Sequence, residues 1–463
     1  MKQKEYGLFT AITMIVGIVI GSGIFFKSDD ILNYTGGSVL LGIFVFTFAA
    51  ISIIFGSLTI AELASRNSKA GGVITYAEEF SKPIACAIGW FQVFLYYPTI
   101  TAVVAWVAGI YTCLLFGLDM TIDNQVALGC AYTVGLFIIN ILSKKLGGHI
   151  QNATTIIKLL PLILFAILGL ILGDPGAAIN NENVKTVGTA SIITALGPIA
   201  FSFDGWIVAS AIGSEVKNSK RNLPLAFIFG PLIVLLVYIA YFIGVSSLVG
   251  PQEVIALGDE HVNIAATVLF GSFGAKIILI FVVISVLGTV NGLVLGGIRL
   301  PQSLALRNML PGSKKIAKIN EEYGISIISA IISFVVFAIW LVAHYVTQKY
   351  GLLSSGDVSE ISIAFSYAMY IYLYINVISL AKKGEIKNKI RGYIIPSLAI
   401  CGSFIILSSA FTNQLFFVHL SICLLIILSA IIFYIEVAQK KEDKLADNDN
   451  KVEVEVELEK EFA

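Results

Sequence analysis

Charged residues are scarce in this sequence. Asp, Glu, Lys and Arg make up 13% of its 463 residues, where a soluble domain carries about a quarter. That shortage excludes an ordinary soluble globule. Histidine is scarcer still: His149, His261, His344 and His419 lie far apart and share no metal-ligand spacing. The five cysteines (Cys86, Cys113, Cys130, Cys401 and Cys423) are an odd number, all within or at the edges of apolar runs, without a CxxC pair. They read as small packing residues, not as a disulfide framework or a zinc site. P-loop, HExxH and GxSxG motifs are missing, which removes an ATP-driven motor and the commoner hydrolase chemistries. No enzyme activity, metal, cofactor or nucleic-acid partner is expected. A channel would carry a repeated filter or rings of like charge, and neither is visible.

Apolar sequence takes the place of what is missing. Hydrophobic residues reach 57% and the mean hydropathy is +0.89. Runs near twenty residues, the length that crosses a bilayer as a helix, recur almost from end to end. Twelve are read, at roughly 7–27, 38–61, 83–114, 124–143, 150–173, 191–213, 224–249, 264–300, 324–346, 358–381, 392–411 and 415–438. The third and eighth are long enough to tilt or project. The fold class expected is an all-α membrane protein in the lipid bilayer. A short basic region precedes the first run without a small-residue cleavage site after it, so that run reads as a retained helix.

A formal net charge of zero hides an asymmetry. If the amino terminus is cytoplasmic, 25 of the 30 basic residues fall on inward segments, while outward segments hold only Lys27, Lys185 and Lys349. Positive charge stays inside, so both termini are expected in the cytoplasm and the protein in the plasma membrane. From about Lys440 the composition turns polar: residues 440–463 carry nine acidic and five basic residues. A lone charged strand has no partner, so this reads as a disordered acidic cytoplasmic tail after a transmembrane domain of residues 1–439.

Two runs are interrupted in the middle. The first contains Gly21-Ser22-Gly23, and the sixth contains Pro198 and then Phe203-Asp204-Gly205. They lie five spans apart, an odd number, so a second unit would enter the membrane from the opposite side. Interrupted helices at matching places in two inverted halves point to the substrate site of a secondary transporter. Repeats at about 7–173 and 191–381 would form it, with two peripheral helices at about 392–438. Gly in a membrane helix is also a packing notch, so GxG alone is weak; the charged break in the sixth span is what raises it.

Unwinding a helix at this depth frees backbone groups, which is tolerable only where they line a cavity or meet a ligand. Amides at the start of a half-helix suit an anion; carbonyls at the end of one suit a cation. A zwitterion satisfies both, and α-amino acids are the commonest metabolites of that shape. The amides around Ser22, Gly23 and Ile24, with the Ser22 hydroxyl, are expected to hold a carboxylate. Carbonyls near Val19 and along Phe201, Ser202 and Asp204 are expected to hold the ammonium.

"IGSGIFF" at residues 20–26 and "FSFDGWIVASAIGSEVKNSKRNLP" from Phe201 to Pro224 resemble signatures of the amino acid–polyamine–organocation superfamily. More narrowly, they resemble its bacterial permeases close to the L-type amino acid transporters and serine–threonine exchangers. "GTVNGLVLGGIRLPQSLA" from Gly288 to Ala305 is similar to the eighth-helix segment of that group. The resemblance implies a LeuT-type 5+5 inverted repeat with helices 1 and 6 broken, alternating access, and an amino acid at the two breaks. By position, Ser22 and Gly23 match carboxylate-binding residues, and Phe201 matches an aromatic that covers the substrate and gates it. Asp204 departs from the Gly often found there in eukaryotic members, so only its backbone carbonyl carries over.

Lys158 stands several residues inside the fifth span. A lysine at a helix centre costs about 2.5–3.5 kcal/mol on insertion scales, so an intramembrane lysine is functional by default; the plainer alternative is a lysine snorkelling to the interface. The resemblance implies that Lys158 occupies the place where sodium binds in sodium-coupled relatives, which makes transport sodium-independent. Asp204 reads as hydrogen-bonding the free ends of its broken helix, with cation recognition as the alternative. Tyr238, matching a tyrosine near that lysine in related permeases, and Asn291 are lesser coupling or gating candidates, or ordinary interhelical hydrogen-bonding residues. Trp90, Tyr96, Tyr97 and Trp106 read as packing or belt residues, and Lys276 as snorkelling. Glu215, Lys217, Lys220 and Arg221 could form an inward-side latch. The expected function is sodium-independent exchange or permeation of neutral L-amino acids without an obligatory protein partner. A proton-coupled symporter of larger neutral or cationic amino acids, or a sensor that does not transport, are the alternatives.

Overall fold

Apolar runs of this length leave each backbone group only its own helix to bond to. The computed structural model describes residues 7–21, 23–67, 72–207, 216–353, 356–413 and 415–440, and these are helical, without a strand among them. The acidic tail beyond Lys440, Ser22 and Glu215 lie outside the described residues.

Nine helices among the described residues are long and apolar enough to cross a membrane. The three expected spans missing from that set, at 7–27, 150–173 and 191–213, are the ones whose helices are interrupted. The first is two helices, α1 (Leu8–Val19) and α2 (Gly23–Tyr34). Its companions are α3 (Val39–Arg66), a short α4 (Val73–Glu78) and α5 (Lys82–Phe116). Then come α6 (Ile122–Leu142), α7 (Lys144–Ile157) and α8 (Leu159–Leu172), the last two meeting at Lys158. The sixth span is the short α9 (Thr189–Ser202), followed by the turn Phe203–Gly205. The remainder is α10 (Ser219–Val249), α11 (His261–Gly297), α12 (Leu300–Leu306), α13 (Ile327–Lys349), α14 (Val358–Lys382), α15 (Ile395–Ser408) and α16 (Phe416–Phe433).

Proline and glycine account for most of the irregularities. Pro98 has no N–H for the Phe94 carbonyl four residues back, and the Trp340 indole of α13 takes that carbonyl at 2.7 Å. Immediately before it, residues Gln92–Tyr96 of α5 form a π-helical turn, a local widening common at functional sites. Pro301 likewise releases the Gly297 carbonyl, which the Ser333 hydroxyl takes at 2.9 Å. Gly271, at φ +67, kinks α11, so the long eighth run of 264–300 is a bent helix and not a single tilted rod. All five cysteines are free.

Core helices and peripheral helices separate by burial. In α5, 78% of the most apolar window is buried, against 28% in α6 and α13 and 17% in the last span. Of the interrupted helices, α1 packs on α10, and α9 on α2 and α14.

Candidate functional site

α1 ends where Ile20 turns extended, at φ −68 and ψ 110, after its N–H has bonded the Val16 carbonyl at 2.9 Å. α2 begins again at Gly23. The step brings backbone against backbone: a Cβ on Gly23 would stand 2.6 Å from Ser202 Cα, at the end of α9. A Cβ on Gly21 would stand 2.6 Å from the Thr289 hydroxyl on α11. Both glycines are needed because two other spans press on the break. The carbonyl ends of α1 and α9 and the amide end of α2 thus converge, with the dipole polarity a zwitterion requires.

Tyr238 of α10 sits behind this junction. Its hydroxyl is 2.8 Å from the Ser202 carbonyl and 3.2 Å from that of Val19, so its one proton serves the frayed ends of both broken helices. Each carbonyl keeps a second lone pair for another donor. The Phe201 carbonyl accepts the Asp204 N–H at 3.1 Å, and the Ser202 hydroxyl donates to Pro198 O at 2.9 Å.

In front of the junction lies a cavity of about 300 Å³, at the small end of the range of about 300–1,000 Å³ for small-molecule sites. Val19, Gly23, Phe201, Asp204 and Lys158 all line it, with Gly21 and Thr289. Five of these come from the two breaks, one from the fifth span and one from the eighth, four regions remote in sequence. Ile24, Ser202, Tyr238 and Asn291 are not on its wall. Ile24 is fully buried, and its carbonyl accepts the Ser28 hydroxyl at 2.6 Å. Asn291 accepts the Asn140 amide at 2.8 Å and donates to Gly147 O at 3.0 Å, tying α11 to α6 and α7.

Lys158 is 1% exposed and has no hydrogen bond or ion pair to a described residue through its ammonium. It stands in the cavity wall. The backbone there is locally loosened, because Pro161 leaves the Ile157 carbonyl without its helical donor. Asp204 faces the same cavity, and the Tyr96 hydroxyl reaches both its carboxylate oxygens, at 2.6 and 2.7 Å. Tyr96 ends the π-helical turn of α5 and, with Tyr97, lines the cavity. Sequence reasoning took both tyrosines for packing residues. The signal available was Pro98 directly after them, in the middle of an apolar run. Ile100, Val104 and Leu293 complete an apolar side.

A second cavity of about 470 Å³ shares Tyr96, Tyr97, Gly296 and Arg299 with the first and extends to Gly72, Ile74 and Arg307. Arg307 there binds Glu78 at 2.9 Å and Thr75 at 3.0 Å, clamping α12 to α4. On the other side the Phe201 ring closes the space, with the Lys27 ammonium 5.5 Å from its centroid. Lys27 was read from sequence as an outward-loop charge, yet it is 1% exposed. Its ammonium lies 2.9 Å from Asp357, 2.8 Å from Glu360 and 3.3 Å from Asp30. Asp357 also caps α14, accepting the Ser359 N–H at 2.8 Å. This network fastens α2 to α14 on the far side of the cavity.

Comparisons with known proteins identify the family. The family described as amino acid permease matches residues 6–433. The serine/threonine exchanger SteT of Bacillus subtilis (strain 168) is 33% identical over 429 residues, covering 91% of this chain and 94% of its own. The b(0,+)-type amino acid transporter 1 of Oryctolagus cuniculus is 28% identical over 448 residues, 93% of this chain and 87% of its own. The human cystine/glutamate transporter is 25% identical over 387 residues, 82% of this chain and 73% of its own. With a family match over nearly its whole length and a long relative at one-third identity, this chain belongs to the amino acid permeases of the amino acid–polyamine–organocation superfamily, membrane transporters and not enzymes.

Proposed function

We propose that the chain is a sodium-independent exchanger of small neutral L-amino acids, working by alternating access in the plasma membrane. The observation that carries this reading is the cavity at the two helix breaks, walled by Gly23, Val19, Phe201 and the buried ammonium of Lys158. The substrate carboxylate meets the amides at the start of α2, and Ser22 is proposed there from sequence. The substrate ammonium meets the remaining lone pairs of the carbonyls at the ends of α1 and α9. Lys158 supplies the fixed positive charge that a sodium ion would otherwise bring. The side chain lies toward Ile100, Val104 and Leu293.

The architecture proposed is twelve spans in a LeuT-type 5+5 inverted repeat, with helices 1 and 6 broken and both termini cytoplasmic. The basic-residue asymmetry supports that orientation, and it makes the second cavity the inward vestibule. Lys27, Asp30, Asp357 and Glu360 are then the closed outer side, and Phe201 the lid between them and the substrate. The printed name of the Bacillus subtilis relative, a serine/threonine exchanger, supports both the substrate size and the exchange mode.

Counterflow tests this. The purified chain alone in proteoliposomes, preloaded with unlabelled serine, is expected to accumulate labelled serine equally with and without sodium. Other small neutral amino acids are expected to compete. Absence of accumulation, or an absolute need for sodium or a second protein, overturns the reading. One observation favours a second substrate class. No described basic side chain pairs with the Asp204 carboxylate, so a cationic side chain could do so; strong competition by lysine or arginine decides for it.

A further inference from the structure

Away from the substrate path, the last turns of α3, the first turns of α10 and the start of α15 enclose a cavity of about 1070 Å³. Three arginines and two glutamates line it, which leaves a net charge of +1. Arg66 is spent internally: Nη1 lies 2.9 Å from Glu385 Oε2, Nη2 donates to the Glu385 carbonyl at 2.8 Å, and Nε lies 3.6 Å from Glu62. Arg221 and Arg391 are different. Both are exposed, and neither guanidinium makes a hydrogen bond or ion pair with a described residue. Arg221 belongs to the first turn of the 31-residue α10, whose positive dipole end favours an anion.

Apart from Ser65 the rest of the wall is apolar, with Leu58, Leu225, Ile228 and Ile395 among its residues. It continues into exposed strips on the outer faces of the same helices. Leu236 on α10 is 60% exposed and Phe404 on α15 is 56% exposed, as befits side chains that face acyl chains. A ligand that fits is anionic at one end and apolar along its length. Free phosphate would use the guanidiniums but leave the apolar wall unmatched.

We propose that this cavity binds the headgroup of an anionic phospholipid. The guanidiniums of Arg221 and Arg391 hold the phosphate, in the planar two-donor geometry that arginine supplies, and the acyl chains lie along α10 and α15. Basic pockets between membrane helices on the positively charged side suit such headgroups.

Titration of phosphatidylglycerol into the detergent-solubilised protein, read by native mass spectrometry, tests the assignment. Each guanidinium is worth about fivefold in affinity, so the double variant R221Q/R391Q is expected to bind about thirtyfold more weakly than the wild type. K314Q/K315Q, which changes basic residues outside this cavity, is expected to bind like the wild type. Phosphatidylcholine is expected to show no difference among the three. A thermal melt and a monodisperse elution in detergent, both unchanged from the wild type, check that R221Q/R391Q is folded. Equal affinity in R221Q/R391Q and wild type overturns the proposal, as does an equal loss in K314Q/K315Q. Displacement of the lipid by millimolar inorganic phosphate, at matched ionic strength, would assign the cavity to a free anion. Displacement by a peptide of residues 441–463 would assign it to the acidic tail. Either displacement overturns the lipid assignment.

Discussion

Lys158 and Asp204 are the two charged side chains that α8 and α9 bring to the cavity, and their neighbours treat them differently. Asp204 is already engaged by the Tyr96 hydroxyl. A hydrogen bond to a charged group is worth about 1.5–3 kcal/mol. Removing it with Tyr96→Phe is therefore expected to lower serine exchange about tenfold or more. It also frees the carboxylate, so competition by lysine relative to serine is expected to rise; an unchanged ratio of the two would show that Asp204 does not face the substrate side chain. Lys158 has no such partner among the described residues. Lys158→Ala is expected to cut exchange at least about tenfold while the protein stays monodisperse in detergent, because the lost charge belongs to the transport path. Full activity in that variant rules out the sodium-replacement role.

The broken helices depend on two glycines whose surroundings differ in kind. Gly23 abuts the Cα of Ser202, so relief requires a whole helix to move. Gly21 abuts only the Thr289 hydroxyl. Forcing atoms into a packed site costs about 1–3 kcal/mol. Gly21→Ala is thus expected to lower thermal stability in detergent, and adding Thr289→Ala is expected to restore most of it. Gly23→Ala is expected to lose both stability and exchange, with no recovery on Ser202→Ala, since backbone and not side chain is in the way. If Thr289→Ala does not rescue Gly21→Ala, the close approach of α11 to the break is not what requires glycine at position 21. At this scale the reading of the breaks from glycine, proline and aspartate was straightforward. Breaks are local, and each is written in adjacent residues. The interruption at Lys158 was less legible, since only a lysine and a proline three residues later mark it.

At the scale of the whole molecule, Lys27 joins α2 to α14 through Asp357 and Glu360, while the second cavity reaches Gly72 and Arg307. Removing one partner of a buried ion pair costs about 3–5 kcal/mol, because the other is left uncompensated. Lys27→Met is accordingly expected to destabilise the protein and stall exchange. Adding Asp357→Asn and Glu360→Gln is expected to recover part of both. Failure to recover would locate the defect elsewhere than in the unpaired carboxylates. This network was invisible in the sequence. Lys27 comes at the end of an apolar run and reads as an ordinary outward-loop charge, and two of its three partners, Asp357 and Glu360, lie more than three hundred residues away.

The amino-acid sequence alone determined the membrane class, where the first and sixth spans break, and that a lysine stands within the fifth. Each of these follows from composition or from residues next to one another, because hydrophobic length and backbone propensity act locally. Tertiary structure decided the rest. It put Tyr238 behind the two frayed helix ends, Tyr96 on the Asp204 carboxylate, Asn291 in a helix clasp away from the cavity, and Lys27 under three carboxylates. Those outcomes turn on which distant helices meet. A polar side chain in an apolar interior must bond whatever the fold brings within about 3 Å, and, Lys27 with Asp30 apart, no short stretch of sequence contains both partners.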